Sequence, residues 1–205
     1  MELIGTVAFA SSGAMIAIEK KMDIFGVNVL GATTAVGGGI MRDIILGLTP
    51  PGAFSHPVYV LVAALTSTIL FVIAYAKPTA FESRVKTDYY DKLMFWCDTA
   101  GLGIFTVVGI QAAVRAVGGE NVFFFVFIGT LTGVGGGVLR DIMAGETPYI
   151  LVKHIYACAA IAGGIVCVVG RTAFGEAYGT ILGLAATVLL RFLAAHFRWN
   201  LMRVS

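Results

Sequence analysis

Charge is what this sequence has least of. Of its 205 residues 13% are Asp, Glu, Lys or Arg, against roughly 25% in soluble chains. Hydrophobic residues make up 58%, and the mean hydropathy is +0.90. An ordinary soluble domain is thereby excluded. A formal net charge of +2, with no basic cluster interleaved with aromatics, gives no reason to expect a nucleic-acid partner. Cysteine is scarce too. Cys97, Cys158 and Cys167 lie in or beside apolar runs without metal-type spacing, and read as small buried apolar residues, not disulfides or nucleophiles. No Ser–His–Asp arrangement or carboxylate pair set in a soluble cleft is visible. The Gly133-Val-Gly-Gly-Gly run lacks the spacing and lysine of a phosphate loop. Neither an enzyme nor a cofactor is expected. Glu2 stands where a secretory signal would carry basic residues, so a cleaved leader is not expected either.

What the chain does have is long apolar runs. Stretches of about 20 apolar residues read as bilayer spans, and seven can be counted: 3–18, 24–48, 58–76, 93–114, 122–143, 150–169 and 177–195. The one hydrophilic linker of any length is 77–92, with Lys77, Arg84, Lys86 and Lys92 beside Glu82, Asp88 and Asp91. The chain is therefore expected to be a single membrane domain. It comprises a first unit at about 1–76, the linker, a second unit at about 93–174 and a seventh span at 177–195.

The two units are copies. Residues 31–50 return at 129–148, 98 positions later, with 12 of 20 identical and Gly-Gly-Gly-x-x-Arg-Asp kept in both. At the same offset Gly5 matches Gly103, Phe25 matches Phe123, His56 matches His154 and Ala64 matches Ala162. Three spans per unit is an odd number, so the second unit enters the membrane from the opposite side. The fold predicted is all-α, two inverted three-helix repeats plus a seventh helix, a device common in transport proteins. Alternating the spans puts ten Lys and Arg residues on the C-terminal side and only Arg115 and Arg171 on the other. The positive-inside rule then places the N-terminus outside and the C-terminus in the cytoplasm.

Gly37, Gly38, Gly39 and Gly135, Gly136, Gly137 lie well inside the second and fifth spans. Each costs about 0.8–1.0 kcal/mol against alanine in a helix interior. One reading is close packing of helices. The other is a kink or break that turns backbone carbonyls toward a water-filled path. The two are compatible. Arg42, Asp43, Arg140 and Asp141 follow one turn later, where a charge at a span centre costs about 2.5–3.5 kcal/mol. Neighbours on a helix point about 100° apart, so each Arg is expected to pair across the crossing: Arg42 with Asp141 and Arg140 with Asp43. Such a network can be a structural clamp, a gate, or both.

Secondary pathway candidates are Thr34 and Thr132, with Thr33 and Thr130 nearby, then Ser12, Gln111 and Asp98. Threonine hydroxyls in helices also bond their own backbone, the plainer reading for each. His56 and His154 follow Thr-Pro turns and suggest a capped loop. Phe123, Phe124, Phe125 and Trp96 are expected to face lipid or the interface.

The doubled Gly-Gly-Gly-x-x-Arg-Asp at 37–43 and 135–141, in three-plus-three-plus-one spans, resembles the prokaryotic branch of the trimeric intracellular cation (TRIC) channel family. The likeness extends over essentially the whole chain. It implies a homotrimer with one pore per subunit, lined by the glycine-kinked second and fifth helices and passing monovalent cations, chiefly potassium, with sodium as an alternative. It further implies a multi-pass protein of a bacterial or archaeal cell membrane, whose partners are the bilayer and itself. Animal members bind a phosphoinositide and carry a lysine-containing motif. This chain keeps Arg-Asp after both triplets, so lipid regulation does not carry over. The competing reading is a secondary transporter of a small solute such as an amino acid, in which glycine turns offer half-helix ends to a charged group. A scaffold without transport leaves the charges within the spans unexplained.

Overall fold

The computed structural model describes residues 1–76, 88–152 and 155–199. The helices are α1 (Glu2–Glu19), α2 (Ile24–Ile45), α3 (Gly52–Ser55), α4 (Val58–Ala76), α5 (Asp88–Val117), α6 (Val122–Met143), α7 (Tyr149–Val152), α8 (Tyr156–Phe174) and α9 (Glu176–His196). Among the described residues seven of these, all but α3 and α7, are long and apolar enough to cross a membrane. An odd number of crossings puts the two termini on opposite faces, called here the N-terminal and C-terminal faces.

The repeat is written into the helix ends. Asp23 caps α2, its carboxylate accepting from the Gly26 amide at 2.7 Å. Asn121, 98 positions on, caps α6 through the Phe124 amide at 3.0 Å. Asp and Asn are favoured there because their short side chains reach an orphan amide of the first turn. Both helices close alike. Gly47 and Gly145 adopt φ of 70° and 71°, the left-handed conformation that glycine reaches without a Cβ penalty. The next amides, of Leu48 and Glu146, donate back to Asp43 and Asp141 at 2.8 and 2.9 Å, a Schellman closure.

Packing repeats the same symmetry. In the first unit α1, α2 and α4 contact one another pairwise; in the second, α5, α6 and α8 do so. The units meet through their equivalent helices, α1 against α5 and α2 against α6, while α9 lies on α8 and α5. Phe9 of α1 and Phe105 of α5 stack tilted at 5.3 Å in a core shared with Ala10, Ala35 and Ala63. The outward face of α4 carries Leu61, Leu65, Ile69, Val72 and Ile73, an apolar stripe suited to hydrocarbon.

Several boundaries differ from expectation. The fourth crossing starts at Asp88, so residues 88–92 of the expected linker are helical; the rest of it, 77–87, lies outside the described residues, as does His154. The sixth crossing starts at Tyr156, not at 150. The apolar residues just before it form the single turn α7, held by its Tyr149 amide on Asp141. Phe123 is exposed, as expected, but Phe125 is buried against Ile110, Ile128 and Val168. Adjacent helical positions point apart, and the three aromatics cannot share a face. Of the cysteines only Cys167 is buried; Cys158 is exposed and Cys97 half-buried.

Candidate functional site

The two glycine triplets meet at the centre of the molecule. Neither helix breaks: α2 and α6 are α-helical throughout, so of the expected kink or break the break does not occur. The middle glycines make the contact. A Cβ on Gly38 would fall on the carbonyl oxygen of Thr132, and one on Gly136 on that of Thr34. The two backbones therefore touch where a side chain would hold them apart, the use small residues have at membrane helix crossings. The third glycines face elsewhere. Within 4 Å a Cβ on Gly39 would meet only the Arg42 guanidinium, at 3.9 Å. One on Gly137 would meet Tyr156 Oη at 3.2 Å, Arg140 Nη2 at 3.8 Å and Asp98 Oδ1 at 3.8 Å.

The expected charge pairing across the crossing does not occur. Arg42 Nε donates to its own neighbour, Asp43 Oδ1, at 2.7 Å. Arg140 Nε donates to Asp141 Oδ1 at 2.8 Å. An arginine is long enough to fold back onto the next residue despite the 100° step. The inversion itself forbids the cross-pairing. Each Arg lies four residues beyond its crossing glycine, about 6 Å along the axis at 1.5 Å per residue, and the two displacements are opposite. About 12 Å of helix axis separates the pairs. The second oxygen of each aspartate holds a short helix: Asp43 Oδ2 accepts from Gly52 of α3 at 2.7 Å, Asp141 Oδ2 from Tyr149 of α7 at 2.8 Å. A carboxylate at a helix N-terminus satisfies orphan amides and opposes the helix dipole.

Beyond that shared plan the two sites differ. On the N-terminal face, Arg42 is 14% exposed and borders a cavity of about 180 Å³ lined by Glu2, Thr6, Gly39, Asp43, His56 and Tyr59 over an apolar floor that includes Phe105 and Val108. Tyr59 Oη donates to the Glu2 carboxylate. On the C-terminal face, Arg140 is wholly buried. Its Nη1 donates to Asp98 Oδ1 at 2.8 Å and to the Ser12 hydroxyl, and its guanidinium lies 5.3 Å from the Tyr149 ring centroid. Arg191 of α9 reaches the other oxygen of Asp98. On one face a cavity reaches Gly39; on the other, among the described residues, a charge-balanced cluster buries Arg140 completely.

Of the secondary candidates, Ser12 and Asp98 belong to this cluster. Thr34 and Thr132 are buried at the crossing, their hydroxyls donating to Leu30 and Ile128 carbonyls at 2.6 and 2.7 Å, the plainer reading. Gln111 sits apart, donating to Thr180 at 2.7 Å. Arg191, Tyr156, Glu2 and Tyr59 were not picked out from sequence. Arg191 carried a signal, since a charge inside an apolar span is a functional candidate by default. No group of three or more His, Cys, Asp or Glu able to hold a metal occurs among the described residues. On the C-terminal face Lys20 pairs with Glu146 at 2.8 Å, and the hydrogen bond and charge of Glu146 raise the Lys20 pKa above its usual 10.5.

A family model described as "Glycine transporter" matches residues 1–75 and 95–172. The UPF0126 inner membrane protein YadS of Escherichia coli (strain K12) is 37% identical over 203 residues, covering 98% of this chain and 92% of its own length. A UPF0126 membrane protein of Deinococcus radiodurans is 39% identical over 165 residues, 80% of this chain and 71% of its own. Among solved structures, one described under the structural basis for conductance through TRIC cation channels superposes with a TM-score of 0.83 at 36% identity, covering 100% of this chain and 95% of its own. The TRIC trimeric intracellular cation channel orthologue from Rhodobacter sphaeroides gives 0.84 at 32% identity, covering 97% and 96%.

Proposed function

This chain belongs to the prokaryotic TRIC-like family of multi-pass membrane proteins, and from that premise we propose that it is a cation channel of the cell membrane. Monovalent cations, potassium foremost, pass through each subunit of a homotrimer along the crossing of α2 and α6. The N-terminal face is outside. The observation that carries this reading is the cavity beside Arg42, which bears the charges of Glu2, Arg42 and Asp43 and reaches Gly39, the neighbour of the crossing glycine Gly38. Below it, Gly137 and Arg140 occupy the inverted equivalent position and, with Asp98, form the inner constriction. Arg42 and Arg140 are each neutralised by an adjacent aspartate. They act as fixed counter-charges that position carboxylates, not as a barrier of net positive charge.

The test is current through purified protein in a planar bilayer under a potassium gradient. Unitary steps reversing near the potassium potential are expected. A silent bilayer containing intact trimers refutes the proposal. A second reading has its own support: one face open and the other sealed is the resting geometry of alternating access. The Glu2 carboxylate and Arg42 guanidinium on one cavity also suit a small zwitterion. Saturable uptake of labelled glycine, without unitary currents, favours the transporter.

A further inference from the structure

The repeat predicts two equivalent sites, yet the buried one takes in a residue that the repeat does not contain. Asp98 lies on α5 in the second unit, whereas Arg191 lies on α9, the span outside both units. These two residues meet: Arg191 Nη2 is 3.5 Å from Asp98 Oδ2, while Arg140 Nη1 holds Oδ1 at 2.8 Å. One carboxylate is thus shared by two guanidinium groups from different helices.

The two contacts are unequal. At 2.8 Å the Arg140 contact is a charge-assisted hydrogen bond. At 3.5 Å the Arg191 contact is too long to be one. Asp98 Oδ2 and Arg191 Nε have no hydrogen-bond partner among the described residues. The Arg191 guanidinium is instead seated between two rings, 5.0 Å from the Phe95 centroid and 4.6 Å from that of Tyr156, a setting that favours a cation without fixing its direction. Its charge faces Asp98 and its position depends on α9.

We propose that Arg191 is a tethered cation: it occupies the inner carboxylate of the pathway, Asp98, and α9 opens the channel by withdrawing it. The proposal rests on the channel reading and names the regulation of that site. Charge arithmetic supports it. With Arg191 in place, Arg140 and Arg191 balance Asp98 and Asp141, and the cluster carries no net charge. With Arg191 withdrawn, the cluster carries −1 and offers Asp98 Oδ2 to one monovalent cation, while Oδ1 of the same carboxylate stays with Arg140 on the side of Gly137. The seventh span therefore has a task of its own at the inner gate, beyond setting the side on which the chain ends.

The experiment is single-channel recording of wild-type protein beside Arg191→Met, Arg191→Lys and Asp98→Asn/Arg191→Met, with trimer integrity checked by size exclusion. Arg191→Met is expected to raise open probability about tenfold, the factor that follows from losing one moderate ionic and cation–π contact. Arg191→Lys, which keeps the charge, should return it toward wild type. The double variant, neutral and free of an unpaired charge, should stay open yet conduct less per step, because the inner carboxylate is gone. It also covers the case in which Arg191→Met does not assemble. Currents from Arg191→Met with a silent wild type support the latch. Wild-type currents whose open probability is unmoved by Arg191→Met, or by the double variant where the single one fails to assemble, overturn the latch and leave the channel standing. Silence from every intact trimer overturns both.

Discussion

Substitution of Gly136 by alanine separates the packing role of the glycine triplets from the pathway role proposed for them. Helix propensity alone makes Gly→Ala favourable by about 0.8–1.0 kcal/mol. At Gly136 the new methyl falls on the Thr34 carbonyl oxygen and within 3.2 Å of the Phe9 ring. A backbone oxygen cannot rotate away as a side chain can, so α2 and α6 must part by on the order of 1 Å to restore contact. Overpacking of this kind costs about 1–3 kcal/mol. After the propensity gain the net loss is about 0–2 kcal/mol, toward the upper end because Gly38 and Gly136 both press on backbone. At roughly 2–4 °C per kcal/mol for a chain of this size, Tm falls by up to about 8 °C. Gly39→Ala is the matched control. Its methyl meets only Arg42 Nη2, at 3.9 Å, so the propensity gain survives and Tm is unchanged or rises by about 2–4 °C. The assay is thermal stability of the purified protein in detergent, read by size exclusion after heating. A larger loss from Gly39→Ala than from Gly136→Ala, or a rise in Tm with Gly136→Ala, refutes the assignment of the middle glycine to the crossing.

Three further outcomes follow from the same geometry. Arg140→Met leaves Asp98 and Asp141 buried with only Arg191 to answer them, and should destabilise by about 3–5 kcal/mol. Arg42→Met leaves the buried Asp43 with the Gly52 amide beside a cavity, and should cost less, about 1–3 kcal/mol; equal losses in the same thermal assay refute the asymmetry. Asp43→Ala removes the acceptor of the Gly52 amide and should cost about 0.5–2 kcal/mol, whereas Asp43→Asn keeps an acceptor oxygen and should retain most of it. Equal Tm values for the two variants would show that α3 does not depend on this cap. For Lys20 the folded pKa lies above 10.5, so the ion pair with Glu146 contributes fully below pH 10.5 and is lost as pH rises through the elevated value. NMR titration of the labelled Lys20 amine should give a midpoint above 10.5 that falls back in Glu146→Gln; a midpoint at or below 10.5 in the unsubstituted protein refutes the pairing.

Much of the fold was legible because a bilayer leaves few choices. Backbone groups must be satisfied within each helix, and a run of apolar residues then specifies a span almost by its length. The repeat offset of 98 correctly matched α2 to α6, and the structure extends the match to the caps at Asp23 and Asn121. The helical turns α3 and α7 escaped notice because a four-residue helix has no periodicity to read. They exist through tertiary capping by Asp43 and Asp141. The error over Phe125 has a different origin: three consecutive aromatics were assigned one environment, although a helix turns them to different ones. The pairing error was avoidable. Once the units were known to be inverted, residues four positions past the crossing had to move apart along the membrane normal, and only an interaction within each unit remained.

Arg191 shows where sequence symmetry stops being a guide. Counted with Lys and Arg residues near one face, it served the topology argument and drew no further notice, although it stands between Leu190 and Phe192 inside an apolar run. Asp98 was noticed, but its partners lie 42 and 93 residues away, beyond any local pattern. An inverted repeat supplies two equivalent half-sites, and two equivalent half-sites would open or close alike. The two ends of the crossing differ, with a cavity beside Arg42 and with Arg140 wholly buried, and something must distinguish them. Here the residue that comes from outside the duplicated segments is Arg191 on the additional span, which meets Asp98 of the second unit. Around the shared Arg-Asp plan these two leave Arg42 beside a cavity and bury Arg140 completely. The glycines and the Arg-Asp pairs build the crossing, and the proposed latch assigns its closed end to Arg191, the residue from outside the repeat.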